Sequence, residues 1–140
     1  MKKTTIRIMF SIAGLIVLLI LCARGITMKV NSNFATEALL EFHYGDSNIS
    51  AMITDEDDIL VLKQLLNGQS YFRNSLHCGF TTNISITMIS GKKSIMFCTA
   101  NDGCQLLRIG TSSKYIEISY EDRERLNEIL KKYGMIFPCV

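Results

Sequence analysis

The chain has 140 residues, 48% hydrophobic and 20% charged, with nine glycines, one proline, five cysteines and no tryptophan, which bounds it to one folded domain and excludes wholesale disorder, a collagen-like repeat and a coiled coil. Its net charge of +2 joins two unlike parts: residues 1–29 carry Lys2, Lys3, Arg7, Arg24 and Lys29 with no acid, and the other 10 basic residues face all 13 acidic ones, a balance of −3. A folded part with no surplus of cations excludes nucleic acid as its partner.

Residues 8–23 are 16 consecutive uncharged residues between Arg7 and Arg24. A helix crossing a bilayer takes about 17–25 residues, and snorkelling of the two flanking arginines supplies the missing length. With Lys2 and Lys3 ahead of it, the segment predicts a signal anchor with its N-terminus in the cytoplasm and everything after Arg24 outside. Ala23-Arg24-Gly25 is a poor cleavage site because an arginine separates the two small residues, so a secreted form cut near Gly25 is the alternative. Leu21 stands where a lipobox before Cys22 would have Gly or Ala. The expected organisation is a basic segment and transmembrane helix over 1–29, a polar tether over 30–37 and an extracytoplasmic domain over 38–140.

Residues 38–44 and 48–53 read as two strands joined at Gly45-Asp46-Ser47. Helical period takes over in 54–67, where Ile59, Leu62, Leu65 and Leu66 share a face, Thr54 or Asp55 caps the start and Asn67-Gly68 supplies the stop. Strands follow at 70–73, 83–89, 94–99, 105–109 and 115–119; in 83–88 polar and apolar residues alternate strictly, as a sheet with one wet face requires. The turns at Gly91-Lys92-Lys93 and Asn101-Asp102-Gly103 are short enough to force antiparallel neighbours. A last helix over 120–133 places Leu126, Ile129, Leu130 and Tyr133 on one stripe, with Ser119 as cap, Gly134 as stop and Glu121–Arg125 and Glu128–Lys132 as surface pairs. The expected fold class is α+β, a small antiparallel meander sheet with two helices on one face.

Cys78, Cys98, Cys104 and Cys139 fall in the part expected outside the cell. An even count in a small domain beyond the reducing cytosol favours two disulfides. Cys98 and Cys104 face each other if the intervening loop is centred on Asn101, so Cys98–Cys104 with Cys78–Cys139 is the preferred pattern; a strict two-residue Asp-Gly turn would put Leu107 opposite Cys98 instead. A four-cysteine zinc site is disfavoured, because five residues separate Cys98 from Cys104 where a zinc knuckle has two to four. His77 beside Cys78 is the wrong placement for a catalytic dyad, since neighbours on a strand point to opposite faces.

The run Asp55-Glu56-Asp57-Asp58 lacks the alternating ligands and distal Glu of a calcium loop, and the helix dipole alone accounts for it. His43, in a strand of mixed polarity, reads as a surface or half-buried histidine rather than a ligand. Asn48-Ile49-Ser50 and Asn83-Ile84-Ser85 match the glycosylation sequon. No dinucleotide, phosphate-loop, serine-hydrolase or zinc-protease motif occurs. Neither a cofactor nor a catalytic residue is expected.

His77-Cys78-Gly79-Phe80 with Asn83-Ile84-Ser85-Ile86, Phe97-Cys98, Asp102-Gly103-Cys104, Lys114-Tyr115-Ile116 and the ending Tyr133-Gly134 and Phe137-Pro138-Cys139 together resemble a family of small membrane-anchored or secreted cysteine-containing proteins of Gram-positive anaerobic bacteria. The resemblance spans about residues 50–140 and implies an extracytoplasmic setting without implying an activity. The functional expectation is a non-catalytic module that binds a protein or cell-envelope partner through an exposed sheet face or open edge. A thiol-redox enzyme using Cys98 and Cys104 is the alternative.

Overall fold

Runs that alternate apolar and polar residues, punctuated by Gly-containing turns, become eight strands, and the two runs of helical period become two helices. In a computed structural model, residues 28–73 and 78–135 are described, with Gly14 and Ile16 alone from the stretch before them. The elements in chain order are β1 (Met28–Val30), β2 (Glu37–Tyr44), β3 (Ser47–Ile53), α1 (Glu56–Leu65), β4 (Gly68–Phe72), β5 (Phe80–Ser90), β6 (Lys93–Ala100), β7 (Leu106–Ile109), β8 (Lys114–Glu117) and α2 (Tyr120–Lys132). All nine elements expected within 38–140 are present. The expected anchor over 8–23 lies, apart from Gly14 and Ile16, outside the described residues, among which no helix is long and apolar enough to cross a membrane.

The sheet is antiparallel throughout, in the order β1-β4-β8-β7-β6-β5-β2-β3. It is a meander only from β5 to β8. The hairpin β2–β3 adds to β5, and α1 carries the chain from β3 at one end of the sheet to β4 near the other, a crossing that adjacent-strand reasoning does not foresee. Tyr44 pairs with Ser47 and Ser90 with Lys93, so Gly45-Asp46 and Gly91-Lys92 are two-residue loops, each with its glycine at φ +57°.

The inward-facing residues of the sheet, among them Ala38, Leu40, Phe42, Ile84, Ile86, Met88, Phe97, Leu107 and Ile116, form one core with Ile59, Leu62 and Leu65 of α1 and Leu126, Ile129 and Leu130 of α2. Both helices start on the expected caps: Asp55 Oδ1 accepts from Asp58 N at 3.1 Å and Ser119 Oγ from Asp122 N at 3.0 Å. Gly134, at φ +91°, lets Met135 N reach Leu130 O at 3.0 Å and close α2.

The stretch 30–37 is packed rather than a tether. β1 pairs with β4 from Met28↔Ser70 to Val30↔Gly68, and Ser32 and Ala35 are fully buried. Asn67, expected only to stop α1, also holds this segment, accepting from Ser32 N at 2.6 Å and from Ser32 Oγ at 3.0 Å. A three-residue strand beside a basic segment carries too little pattern to stand out from a linker.

The surface pairs also differ from expectation. Arg125 meets Asp122 at 3.3 Å, and Lys132 leaves its own helix for Asp58 at 2.6 Å and Asp55 at 3.7 Å. Burial works to raise the pKa of Asp58, but hydrogen bonds from Lys132 Nζ and Tyr133 OH, together with the lysine charge, outweigh it and hold the carboxyl below its ordinary value of 3.8. Burial first, then the bond to Asp58, pushes the Tyr133 hydroxyl up to about 12, so it remains a donor through neutral pH. A carboxyl depressed in the folded state adds stability above its unfolded pKa and loses it as pH falls through the folded one. Asp58→Asn is therefore expected to lower the thermal midpoint near neutral pH and to lower it progressively less as the pH falls below the carboxyl's ordinary value of 3.8. An equal loss at neutral and at acid pH would contradict this.

Candidate functional site

Two features stand out, a cysteine pair at the β6–β7 turn and an open edge at β3. The first is built by a bulge. Pairing of β5 with β6 runs without interruption from Ser90↔Lys93 to Ser85↔Cys98 and then shifts before resuming at Phe80↔Ala100. Thr81 Oγ1 accepts from Asn83 N at 3.1 Å inside the irregular stretch. Residues 78 and 79 consequently run alongside 101–104. Asn101 N donates to Gly79 O at 3.4 Å, and a Cβ on Gly79 would collide with the Asn101 side-chain oxygen. Only glycine permits this approach without moving Asn101.

At that junction Cys78 Sγ lies 2.8 Å from Cys104 Sγ, both half-buried. Asp102 Oδ1 accepts from Cys104 N at 3.1 Å and Gly103 takes φ +73°, so the turn presents its cysteine toward β5. The sulfurs and an Asp102 oxygen all lie within 4.8 Å of one another, the one group of potential metal ligands among the described residues. The hydrogen bond to Cys104, then burial, then the charges of Cys104 and Asp102 push the Cys78 thiol up to about 11. It is protonated at neutral pH, so reaction or metal binding at this sulfur must release a proton.

Arg123 anchors the strand leading into this turn. It is 3% exposed, and its Nη2 donates to Ala100 O at 3.1 Å. Burial pushes its pKa down, opposed by the nearby Cys104, Asp102 and Glu124.

The pairing Cys98–Cys104 is not what the turn produces. β6–β7 pairing is centred on Gly103 rather than Asn101, with Cys98 opposite Arg108 and Thr99 opposite Leu107. Neither the expected partner Cys104 nor Leu107 faces Cys98. Its thiol is wholly buried and 3.6 Å from Gly110 O, while the thiol that Cys104 meets belongs to Cys78. A redox centre of Cys98 with Cys104 therefore lacks its pair. Cys139, Cys22 and His77 lie outside the described residues. The acidic run is divided among structural tasks, Asp55 capping α1 and Asp58 tying it to α2. His43 is exposed on β2 opposite Asn48, and both sequon asparagines, Asn48 and Asn83, are exposed.

Sequence reasoning placed Asp102 in a turn and named Gly79 only within the resemblance, giving neither a role at a cysteine pair, and it did not single out Arg123. A signal existed for Arg123, three residues before Leu126 and seven before Leu130, on the apolar stripe of α2.

The second feature is the sheet edge. β3 pairs with β2 over all seven of its residues and, among the described residues, with nothing on its other side. Its sequence Ser-Asn-Ile-Ser-Ala-Met-Ile has no charge and no proline, and its pairing has no bulge, the devices that usually guard an edge. Ile49, Ala51 and Ile53 turn toward the helices; Asn48, Ser50 and Met52 turn to the other face and are exposed. Hydrogen-bonded and open positions alternate from the Tyr44↔Ser47 closure, so Asn48, Ser50 and Met52 direct their backbone N–H and C=O groups outward. Beside them the register sets Met52, Leu39, Thr87 and Met96 in one row across the helix-free face.

A shallow groove of about 440 Å³ between α1 and residues 35–36 is lined by Glu56, Asp57, Leu60 and Lys63 without a convergent catalytic set. Comparison with protein-family models, curated proteins and solved structures yields no match to this chain.

Proposed function

We propose that the chain is a non-catalytic interaction module, displayed outside the cell from the membrane by residues 8–23, that takes an extended segment of a partner protein onto β3 as a ninth strand. The observation that carries this reading is the unguarded, uncharged seven-residue edge. Unpaired backbone groups supply affinity to any extended chain, and alternate side chains of that chain then meet the face beside them. Met52, 48% exposed, and the half-buried Leu39 and Met96 make that face apolar near the edge. A segment with apolar residues at every second position is the fitting partner. The likeness to membrane-anchored proteins of Gram-positive anaerobes supports the same outward placement.

The test is photocrosslinking in living cells from a benzophenone amino acid placed at position 52 of the full chain. A discrete adduct with another protein is expected. Ser50→Pro removes an outward N–H without removing a bond to β2, and Ser50→Lys guards the edge with charge; both are expected to abolish the adduct. An adduct unaffected by Ser50→Lys, or none at all, would contradict the proposal.

A further inference from the structure

Cys78 and Cys104 come from segments 26 positions apart, and two separate pieces of backbone geometry, the β5 bulge and the Asx turn at Asp102, bring their sulfurs to 2.8 Å. That is longer than a disulfide bond of about 2.05 Å and shorter than the separation of roughly 3.8 Å that two thiolates take on a tetrahedral zinc with metal–sulfur bonds of about 2.3 Å. Asp102, the third potential ligand, already accepts the Cys104 N–H. The geometry thus suits a sulfur–sulfur bond better than a shared metal. We propose that Cys78 and Cys104 oxidise to a disulfide that fastens the start of β5 to the β6–β7 turn, while Cys98 stays a reduced core thiol.

The oxidant is a disulfide, supplied by a small molecule or by a thiol–disulfide oxidoreductase. The Cys104 sulfur, having lost its proton, attacks one sulfur of the oxidant to form a mixed disulfide and expels the other as a thiolate. Cys78 then attacks the Cys104 sulfur, releases its proton and expels the second thiolate. Two protein thiols are oxidised and one oxidant disulfide is reduced to two thiols. The half-buried positions of both sulfurs leave room for the oxidant to enter, whereas Cys98 is closed to it. Cys78 donates its S–H to Cys104 in the reduced pair, which orients Cys104 as the first sulfur to react. The proposal is independent of what docks on β3.

The experiment equilibrates the full chain in detergent with glutathione disulfide, alkylates the native protein without reduction, unfolds and alkylates again with a heavier reagent, and maps the peptides. A linked Cys78–Cys104 peptide pair is expected, lighter by two hydrogens than the two thiol peptides, with Cys98 carrying only the second label. Free alkylation of Cys78 and Cys104 would overturn the proposal. So would linkage of Cys78 to Cys139 or of Cys98 to Cys104, or protection of the pair that disappears when a chelator removes bound zinc. Cys104→Ser is expected to leave Cys78 open to the first reagent and Cys98 still closed, which separates loss of the bond from loss of the fold.

Discussion

Phe97→Ala is expected to lower the unfolding free energy by about 3–5 kcal/mol, the range for truncating a fully buried aromatic. Phe97 is 0% exposed in the middle of β6. It stands between Ile86 on β5 and Ile109 on β7 in a row that continues to Leu40 and Ala51. Removing the ring takes away its transfer energy and leaves a cavity that a close-packed sheet and two helices cannot fully collapse. The next residue back, Met96, lies on the helix-free face and is half-buried, so Met96→Ala is expected to change stability by less than about 1.5 kcal/mol. Denaturant unfolding of both variants, read as a shift in midpoint at constant slope, checks the pair. Equal losses would mean that β6 does not present its alternate residues to opposite faces.

Arg123→Ala is expected to destabilise by about 2–3 kcal/mol, the scale of a lost charged hydrogen bond. The carbonyl it serves belongs to Ala100, itself fully buried, so truncation removes its charged donor where water does not replace it. Arg123→Met retains most of the side chain's packing while removing the charge, and a smaller loss is expected. Because Ala100 is the last residue of β6, the alanine variant should also loosen the turn that carries Asp102 and Cys104. Amide exchange at Cys104, whose N–H bonds Asp102, reads that effect and should speed up in Arg123→Ala more than in Arg123→Met. Unchanged exchange in both would show that the turn holds without the guanidinium.

Most of the architecture is legible in the sequence because its signals are local. The strict alternation in 83–88, the glycines at 45 and 91, the caps Asp55 and Ser119 and the stop at Gly134 each act within a few residues of the structure they produce. What escapes is set by long-range register. The crossing of α1 from one end of the sheet to the other places β4 next to β8, and β1 exists only because β4 then has a free side. The cysteine pairing fails for a smaller reason. Centring the β6–β7 loop on Gly103 rather than Asn101 turns Cys98 away from Cys104, and the bulge between Phe80 and Ser85, which no composition signal marks, delivers Cys78 in its stead. The open edge was legible only in kind. Which strand ends the sheet follows from topology, and the absence of charge in 47–53 acquires meaning only once β3 is known to be last.

The most direct test of the β3 edge is amide hydrogen exchange at Asn48, Ser50 and Met52 in the full chain, alone and in the complex recovered by crosslinker-free purification from cells. The account predicts exchange near solvent rates at these outward amides in the isolated protein and strong protection in the complex, with the β2-facing amides of Ile49 and Ala51 protected in both. Outward amides that exchange equally fast in both states would contradict strand addition at β3.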